Sequence, residues 1–384
     1  MRKCETLGRD AKPRDAVWRA NRMSGSSTLH KRRDGWSVLD SSGAELDPGR
    51  GLDRNGAARM IDVVDLDRAD LAEVAHLVAD QQRVARSTSA VVPDDLAEQG
   101  NAARHLATLL DRGFSGKLAS QGGAPAGVLL GKSTGTTAEL PAAGFAIDPG
   151  SSDPSQILAE LYGELAPDLL DRGAVRHYLS HLNTPWLQQA VTDLGFGRVS
   201  YCAIRPVSPT TTAPHADRPV SVREGEATDL ETVARLCLVE VDYRSVPPIY
   251  SPPPERPYTL HEQIERHRTV ETNGGVHLIA SVDGDDVGVL TLEAKGIERG
   301  LCPDDQPFIG ETATVEDARG LGVGTALVEA AMQWAAHRDH AGVTVSFQPS
   351  NRVSRRFWLG AAFEPTGFWT VRTIPDPYAT NPDD

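Results

Sequence analysis

Arg319-Gly320-Leu321-Gly322-Val323-Gly324-Thr325 is the stretch on which the reading of this chain turns. It follows a predicted strand over 308–315. It opens a predicted helix over 321–337 whose apolar face is carried by Val323, Leu327, Val328, Ala331, Met332 and Trp334. Glycines let the backbone turn tightly and come close to an anion. The free N–H groups of a first helical turn then point at phosphate oxygens, and the helix dipole favours the negative charge. Arg319 adds a guanidinium at the entrance. A dinucleotide-binding loop spaces its glycines differently, and a P-loop ends in Gly-Lys-Ser/Thr, whereas here Gly324 runs directly into Thr325. The loop also comes after the fourth strand of its unit, behind a hairpin, where neither nucleotide fold places it.

Working outward from the loop, a strand is predicted over 343–347. It is followed by Asn351-Arg352-Val353-Ser354 at the start of a helix over 352–359, the ending Ala361-Ala362-Phe363, and a last strand over 367–374. On the N-terminal side come a strand at 220–223 and a helix from Asp229 to about Glu240. A loop rich in Pro and Tyr, a helix over 259–267 and a hairpin of strands 276–282 and 287–293 about Asp283-Gly284 follow. The same order appears earlier in the chain: strand 61–66, helices from Asp70 and over 101–110, a hairpin of 114–119 and 125–131, strand 142–147, helix 155–170, strand 175–182, helix 185–194 and strand 198–205. Phe196 and Phe363, which close the equivalent helices, lie 167 residues apart, and Ile61 and Val220 lie 159 apart. Similar offsets at both ends point to duplication of a whole domain.

An Arg-Gly-x-Gly-x-Gly loop after a strand, followed about thirty residues on by Asn351, a helix and a small-residue–Phe ending, resembles the GNAT superfamily of N-acetyltransferases. The resemblance covers nearly all of Pro219 to Pro377. The first half resembles the family only in element order. The implied fold class is α+β, a three-layer α/β/α fold in two tandem acyl-CoA N-acyltransferase domains with mixed, mostly antiparallel sheets. The expected division is a disordered extension over 1–58, a degenerate copy over 59–206, a linker over 207–218 and an intact copy over 219–378.

The resemblance also implies roles. Acetyl-CoA is the co-substrate. Its pyrophosphate would lie on the backbone of Gly320, Leu321, Gly322, Val323, Gly324 and Thr325 beside Arg319. Its pantetheine arm would pair with main-chain groups of Ala313, Thr314 and Val315, and would be held by Asn351 and the adjacent Ser354. An N–H near Thr314 or Val315 would polarise the thioester. Glu311 is the predicted general base, with Glu293 as competitor across the strand register. One departure stands out: the family often has a Tyr seven residues after the Asn, and this chain has Trp358, which cannot protonate a thiolate. In the first half the loop position reads Ile147-Asp148-Pro149-Gly150-Ser151-Ser152-Asp153, with two carboxylates and one glycine. That copy is expected to bind no CoA.

The activity implied is transfer of acetyl to a small-molecule or peptide amine. The alternative is a non-catalytic acyl-CoA-binding or scaffold module. A net charge of −14 argues against nucleic-acid binding. Cys4, Cys202, Cys237 and Cys302 are widely spaced, and His261, His267 and His277 match no metal spacing, so neither a disulfide framework nor a metal is expected. The longest apolar runs are too short to span a bilayer, which makes the cytoplasm the expected location. The oligomeric state expected is monomer or homodimer.

Overall fold

A computed structural model describes residues 61–208, 220–249, 259–296 and 299–375, together with the backbone of four strands within 18–46. The chain divides into two compact units, Met1–Asp62 and Val63–Asp384. In the first, strands β1 (Trp18–Arg22), β2 (Gly25–Arg32), β3 (Gly35–Leu39) and β4 (Glu45–Leu46) form an antiparallel sheet in that order. Disorder was the expectation for this extension. Strand runs separated by only two residues satisfy hairpin spacing with little apolar content, which is why hydrophobic periodicity did not reveal them.

The duplicated order holds throughout the rest. The first half comprises β5 (Ile61–Asp65), α1 (Leu71–Thr88), α2 (Gln99–Asp111), β6 (Ser115–Gln121), β7 (Ala124–Thr134), β8 (Thr137–Leu140), β9 (Phe145–Ile147), α3 (Pro154–Asp171), β10 (Arg176–Leu182), α4 (Pro185–Asp193) and β11 (Gly197–Pro206). The second comprises β12 (Val220–Glu224), α5 (Leu230–Ser245), α6 (Leu260–Thr272), β13 (Val276–Val282), β14 (Asp285–Glu293), β15 (Phe308–Thr314), α7 (Val323–Ala336), β16 (Gly342–Phe347), α8 (Arg352–Gly360) and β17 (Glu364–Thr373). Strand β8 escaped the sequence reading, which placed one strand over 142–147. Residues 142–144 are a 3₁₀ turn leading into β9. The proposed linker lies almost wholly outside the described residues.

Strands β5 to β17 form one 13-stranded sheet, ordered β12-β13-β14-β15-β16-β11-β17-β10-β8-β7-β6-β5, with β9 against β7. The pairings β8–β10 and β15–β16 are parallel, and the other registered pairs are antiparallel. The two halves therefore share one sheet. Each gives its last strand to the other. Strand β11 pairs with β16 from Tyr201↔Phe347 to Pro206↔Gly342, and β17 pairs with β10 from Arg176↔Thr373 to Leu182↔Gly367. Tyr201 and Ala203, from the first half, sit in the apolar core of the second.

Alternation along the central strands sorts the layers. In β7, Val128 and Leu130 join α1 and α2 in one core, while Gly127 faces Ile157 and Leu161 of α3. In β14, Val289 packs with Val233 and Cys237 of α5, while Gly288 faces Val323 and Leu327 of α7. A Cβ on Gly127 or Gly288 would come within 2.7 Å of Ile157 or 2.5 Å of Val323. Both glycines thus let the loop-bearing helix lie close on the sheet, and they mark equivalent points of the two copies.

A gap follows from the parallel pairing. Strand β15 meets β16 only at Phe308↔Thr344 and Ile309↔Val345, and then diverges from it. In the first half, β8 pairs with β10, and β9 continues against β7 alone.

Candidate active site

The gap beyond Ile309 opens into a cavity of about 530 Å³. Its floor is β15, its far wall is α5 and its mouth is formed by the turn into α7 and by α8. Gly322 caps α7 with φ 85°, and Gly320 has φ 81°. These are left-handed conformations that L side chains rarely adopt, so the glycines are what allow the turn. Of the residues predicted to hold the co-substrate, Ala313, Thr314, Arg319, Gly320, Gly322, Val323, Gly324, Thr325, Asn351 and Ser354 line this cavity. Leu321 and Val315 pack against the apolar core.

The main chain of β15 refines the expected pairing. The Val315 N–H donates to Val287 O at 2.9 Å, and Ala313 lies opposite Val289. In an antiparallel ladder the next residues along then turn their polar groups the other way. The outward pair is Thr312 and Thr314, so Thr312 C=O and Thr314 N–H face the gap. Val315 N–H is already used by β14 and cannot serve as the predicted thioester donor. Thr312 was missed because the strand register is a tertiary property.

The first half shows the same strand edge filled. Gln81 of α1, 2% exposed, donates from Nε2 to Phe145 O at 2.8 Å, and the Ile147 N–H donates to Gln81 Oε1 at 3.1 Å. Matching Gly127 to Gly288 through the ladders makes Phe145 and Ile147 the counterparts of Thr312 and Thr314. The helix start is closed as well. Asp153 accepts from Gln156 N at 3.0 Å and Asp148 accepts from Gly150 N at 2.9 Å, so the chain's own carboxylates occupy the amide donors.

Asp70 and Asp229 both accept a backbone N–H three residues back, which aligns α1 with α5. Gln81 then corresponds to Glu240. Glu240 lines the cavity, is held by Arg244 Nε on Oε1 at 2.7 Å, and has no hydrogen-bond partner on Oε2. Burial, aided by the neighbouring Glu311 charge and opposed by Arg244, pushes its carboxyl up to about 7. Nothing in the sequence of α5 marked Glu240. The signal was its alignment with Gln81, legible only once both strand edges are known.

Glu311, the predicted base, is 6% exposed and is not among the residues that line the cavity. Its Oε1 is held by Arg266 Nη1 at 2.8 Å. Glu293 packs over Gly310, and its carboxyl is raised by burial and by Glu311. Asn351 spends Oδ1 on capping α8, accepting from Ser354 N at 3.0 Å. Trp358 is a buried cavity wall, with its ring edge-on to Phe363 at 5.2 Å. Tyr243 also lines the cavity, and the Arg319 guanidinium lies over its ring at 5.1 Å. Tyr250 and Tyr258 of the loop rich in Pro and Tyr lie outside the described residues.

A family model described as the acetyltransferase (GNAT) family matches residues 243–361. The second half carries a GNAT-family domain. The match takes in β15, the glycine loop, α7, β16 and α8, and only the end of α5, the cavity's far wall. Among solved structures, a GCN5-related N-acetyltransferase from Sphaerobacter thermophilus superposes with a TM-score of 0.53 at 15% identity, covering 86% of this chain and 100% of that one. This shows that the GNAT fold extends over both halves. A tandem GNAT protein from the clavulanic acid biosynthesis pathway gives a TM-score of 0.46 at 14% identity over 81% of this chain and 97% of that one. No curated protein sequence matches. Among the described residues, no helix is long and apolar enough to cross a membrane.

Proposed function

We propose that the second half is an N-acetyltransferase that moves an acetyl group from acetyl-CoA to a primary amine by direct attack in a ternary complex. The observation that carries this reading is the contrast between the two copies. One strand edge is open onto a glycine-loop cavity, and the equivalent edge is filled by Gln81.

In this reading the N–H groups at the start of α7, with Arg319, hold the pyrophosphate. Thr312 C=O and Thr314 N–H bind the pantetheine amides, and Asn351 and Ser354 line the same arm. Glu240 replaces Glu311 as the base. It is a carboxylate that titrates near neutrality at the cavity wall, suited to taking the proton of an acceptor ammonium. The amine nitrogen forms a bond to the thioester carbon, the C–S bond breaks, and the thiolate takes its proton from water because the indole N–H of Trp358 is too weak an acid to supply it. In this reading the reaction takes place in the cytoplasm.

The test is release of free thiol from acetyl-CoA with a panel of primary amines and peptides, alongside calorimetric binding of CoA. Amine-dependent thiol release supports the reading. CoA binding without turnover on any amine would favour an acyl-CoA-binding module, and absence of CoA binding would overturn both.

A further inference from the structure

Behind the cavity wall, between α5, α6 and the sheet, lies a polar constellation that the proposed reaction does not use. Cys237, His267 and Glu311 bring a thiol sulfur, a ring nitrogen and a carboxylate oxygen within 4.8 Å of one another, all in the interior. Their residues are 1%, 1% and 6% exposed. Arg266 holds Glu311 by Oε1. The other oxygen, Oε2, stands 3.5 Å from His267 Nε2, and neither of these atoms has a hydrogen-bond partner. His267 Nδ1 and, close by, His277 Nδ1 and Gln263 Oε1 are also unpartnered. Polar atoms in the interior are nearly always satisfied, so a concentration of such atoms at one point requires a cause.

The first half shows what the fold itself needs there. The helix alignment that pairs Gln81 with Glu240 pairs Val78 with Cys237. The left-handed glycines that end the second helices, Gly113 and Gly274, pair Leu106 with His267 and Ala102 with Gln263. One residue beyond the registered pairs, Gly144 corresponds to Glu311. Val78, Ala102 and Leu106 are plain core residues. The same layer thus packs well with apolar side chains, and the second half has replaced them with a thiol, an imidazole and a carboxylate. Packing does not demand that exchange, and it weakens the core unless something repays it.

We propose that Cys237, His267 and Glu311 bind a divalent metal ion, zinc by ligand type. A thiolate with an imidazole and a single carboxylate suits zinc and disfavours magnesium or calcium, which seek all-oxygen shells. Ligand atoms on tetrahedral zinc lie roughly 3.5 Å apart. The His267–Glu311 pair already has that separation, and small side-chain rotations bring in the sulfur. Arg266 leaves Oε2 free for the ion and balances the carboxylate through Oε1. The three ligands come from α5, α6 and β15, so the ion would tie both helices to the strand that floors the cavity. The proposal does not rest on acetyl transfer.

The experiment is metal analysis of the full chain after incubation with zinc and exhaustive dialysis, together with titration by Co²⁺. Stoichiometric zinc and an intense near-ultraviolet thiolate-to-cobalt absorption are expected. The double variant Cys237→Val/His267→Leu installs the first half's own residues and is expected to fold with the wild-type circular dichroism spectrum while losing both signals. Wild-type protein that retains no zinc and shows no thiolate–cobalt band overturns the proposal, whatever the variant does. A double variant that keeps stoichiometric metal overturns it too.

Discussion

At the scale of the residue, the proposed function turns on Glu240 and on what its counterpart Gln81 does. In the first half a neutral amide closes a strand edge by donating to one backbone group and accepting from another. In the second half an acid at the same point leaves that edge open. Glu240→Ala is expected to lower turnover at neutral pH by roughly 10²-fold or more, with the rate recovering as pH rises toward the acceptor amine's own pKa and CoA affinity kept. Glu240→Gln should lose turnover similarly and also bind CoA more weakly, because it can bridge Thr312 and Thr314 as Gln81 bridges Phe145 and Ile147. Equal CoA affinity in the two variants, by calorimetry, would remove the second half of that argument. Stability carries the same signature. The carboxyl's folded pKa, about 7, lies above its unfolded value of 4.5. The group's stabilising contribution is therefore complete below pH 4.5 and is lost as pH rises through 7. Above pH 7 Glu240→Gln should raise the urea midpoint, by up to about 3 kcal/mol of stability at 1.36 kcal/mol per pKa unit, and below pH 4.5 that gain should vanish.

At the scale of the element, the proposal makes the glycine loop and the start of α7 one anion-binding piece. Gly322 has φ 85°, a region that Asn and Asp enter more easily than other side chains. Gly322→Asn and Gly322→Asp therefore differ mainly in charge. Asp is expected to abolish CoA binding and Asn to weaken it less, and identical affinities would show that no phosphate lies there. Across the two copies, the filled edge Phe145–Ile147 and the self-capped start of α3 predict one CoA per chain at saturation. Calorimetric stoichiometry of two would contradict the closure by Gln81.

At the scale of the whole molecule, strand exchange makes the halves interdependent. Strand β11 lies between β16 and β17, and β17 between β11 and β10, so each half alone loses the neighbours of its last strand and exposes unpaired edges. Residues 1–212 and 213–384 expressed separately are expected to aggregate, and to yield a soluble 1:1 complex when co-expressed. Two monodisperse, folded halves by size-exclusion chromatography and circular dichroism would show that the exchange is dispensable. Urea unfolding of the intact sheet should follow one transition by both probes, since its centre belongs to both halves.

Much of this was written locally. The helices over 154–171 and 323–336, the hairpins at Gly122 and Gly284, and the turn about Gly320 and Gly322 follow from periodicity and from glycines that the backbone needs at those points. The duplication could be read from element order and matching offsets, and the loop from a motif that resembles that of the GNAT family. Strand partners could not. Nothing local tells β11 to pair with β16 rather than with its own β10, since an exchanged strand buries the same alternating face as one that stays home. The four-residue β8 carries too little pattern to register. The proposed base is Glu240 rather than the expected Glu311 for a related reason. Which carboxylate meets the cavity depends on a strand register and a helix rotation fixed by packing between distant segments. Cys237, His267 and Glu311 sit on three elements with no motif spacing, so only the fold assembles them, and only comparison with Val78, Leu106 and Gly144 shows that packing did not require them.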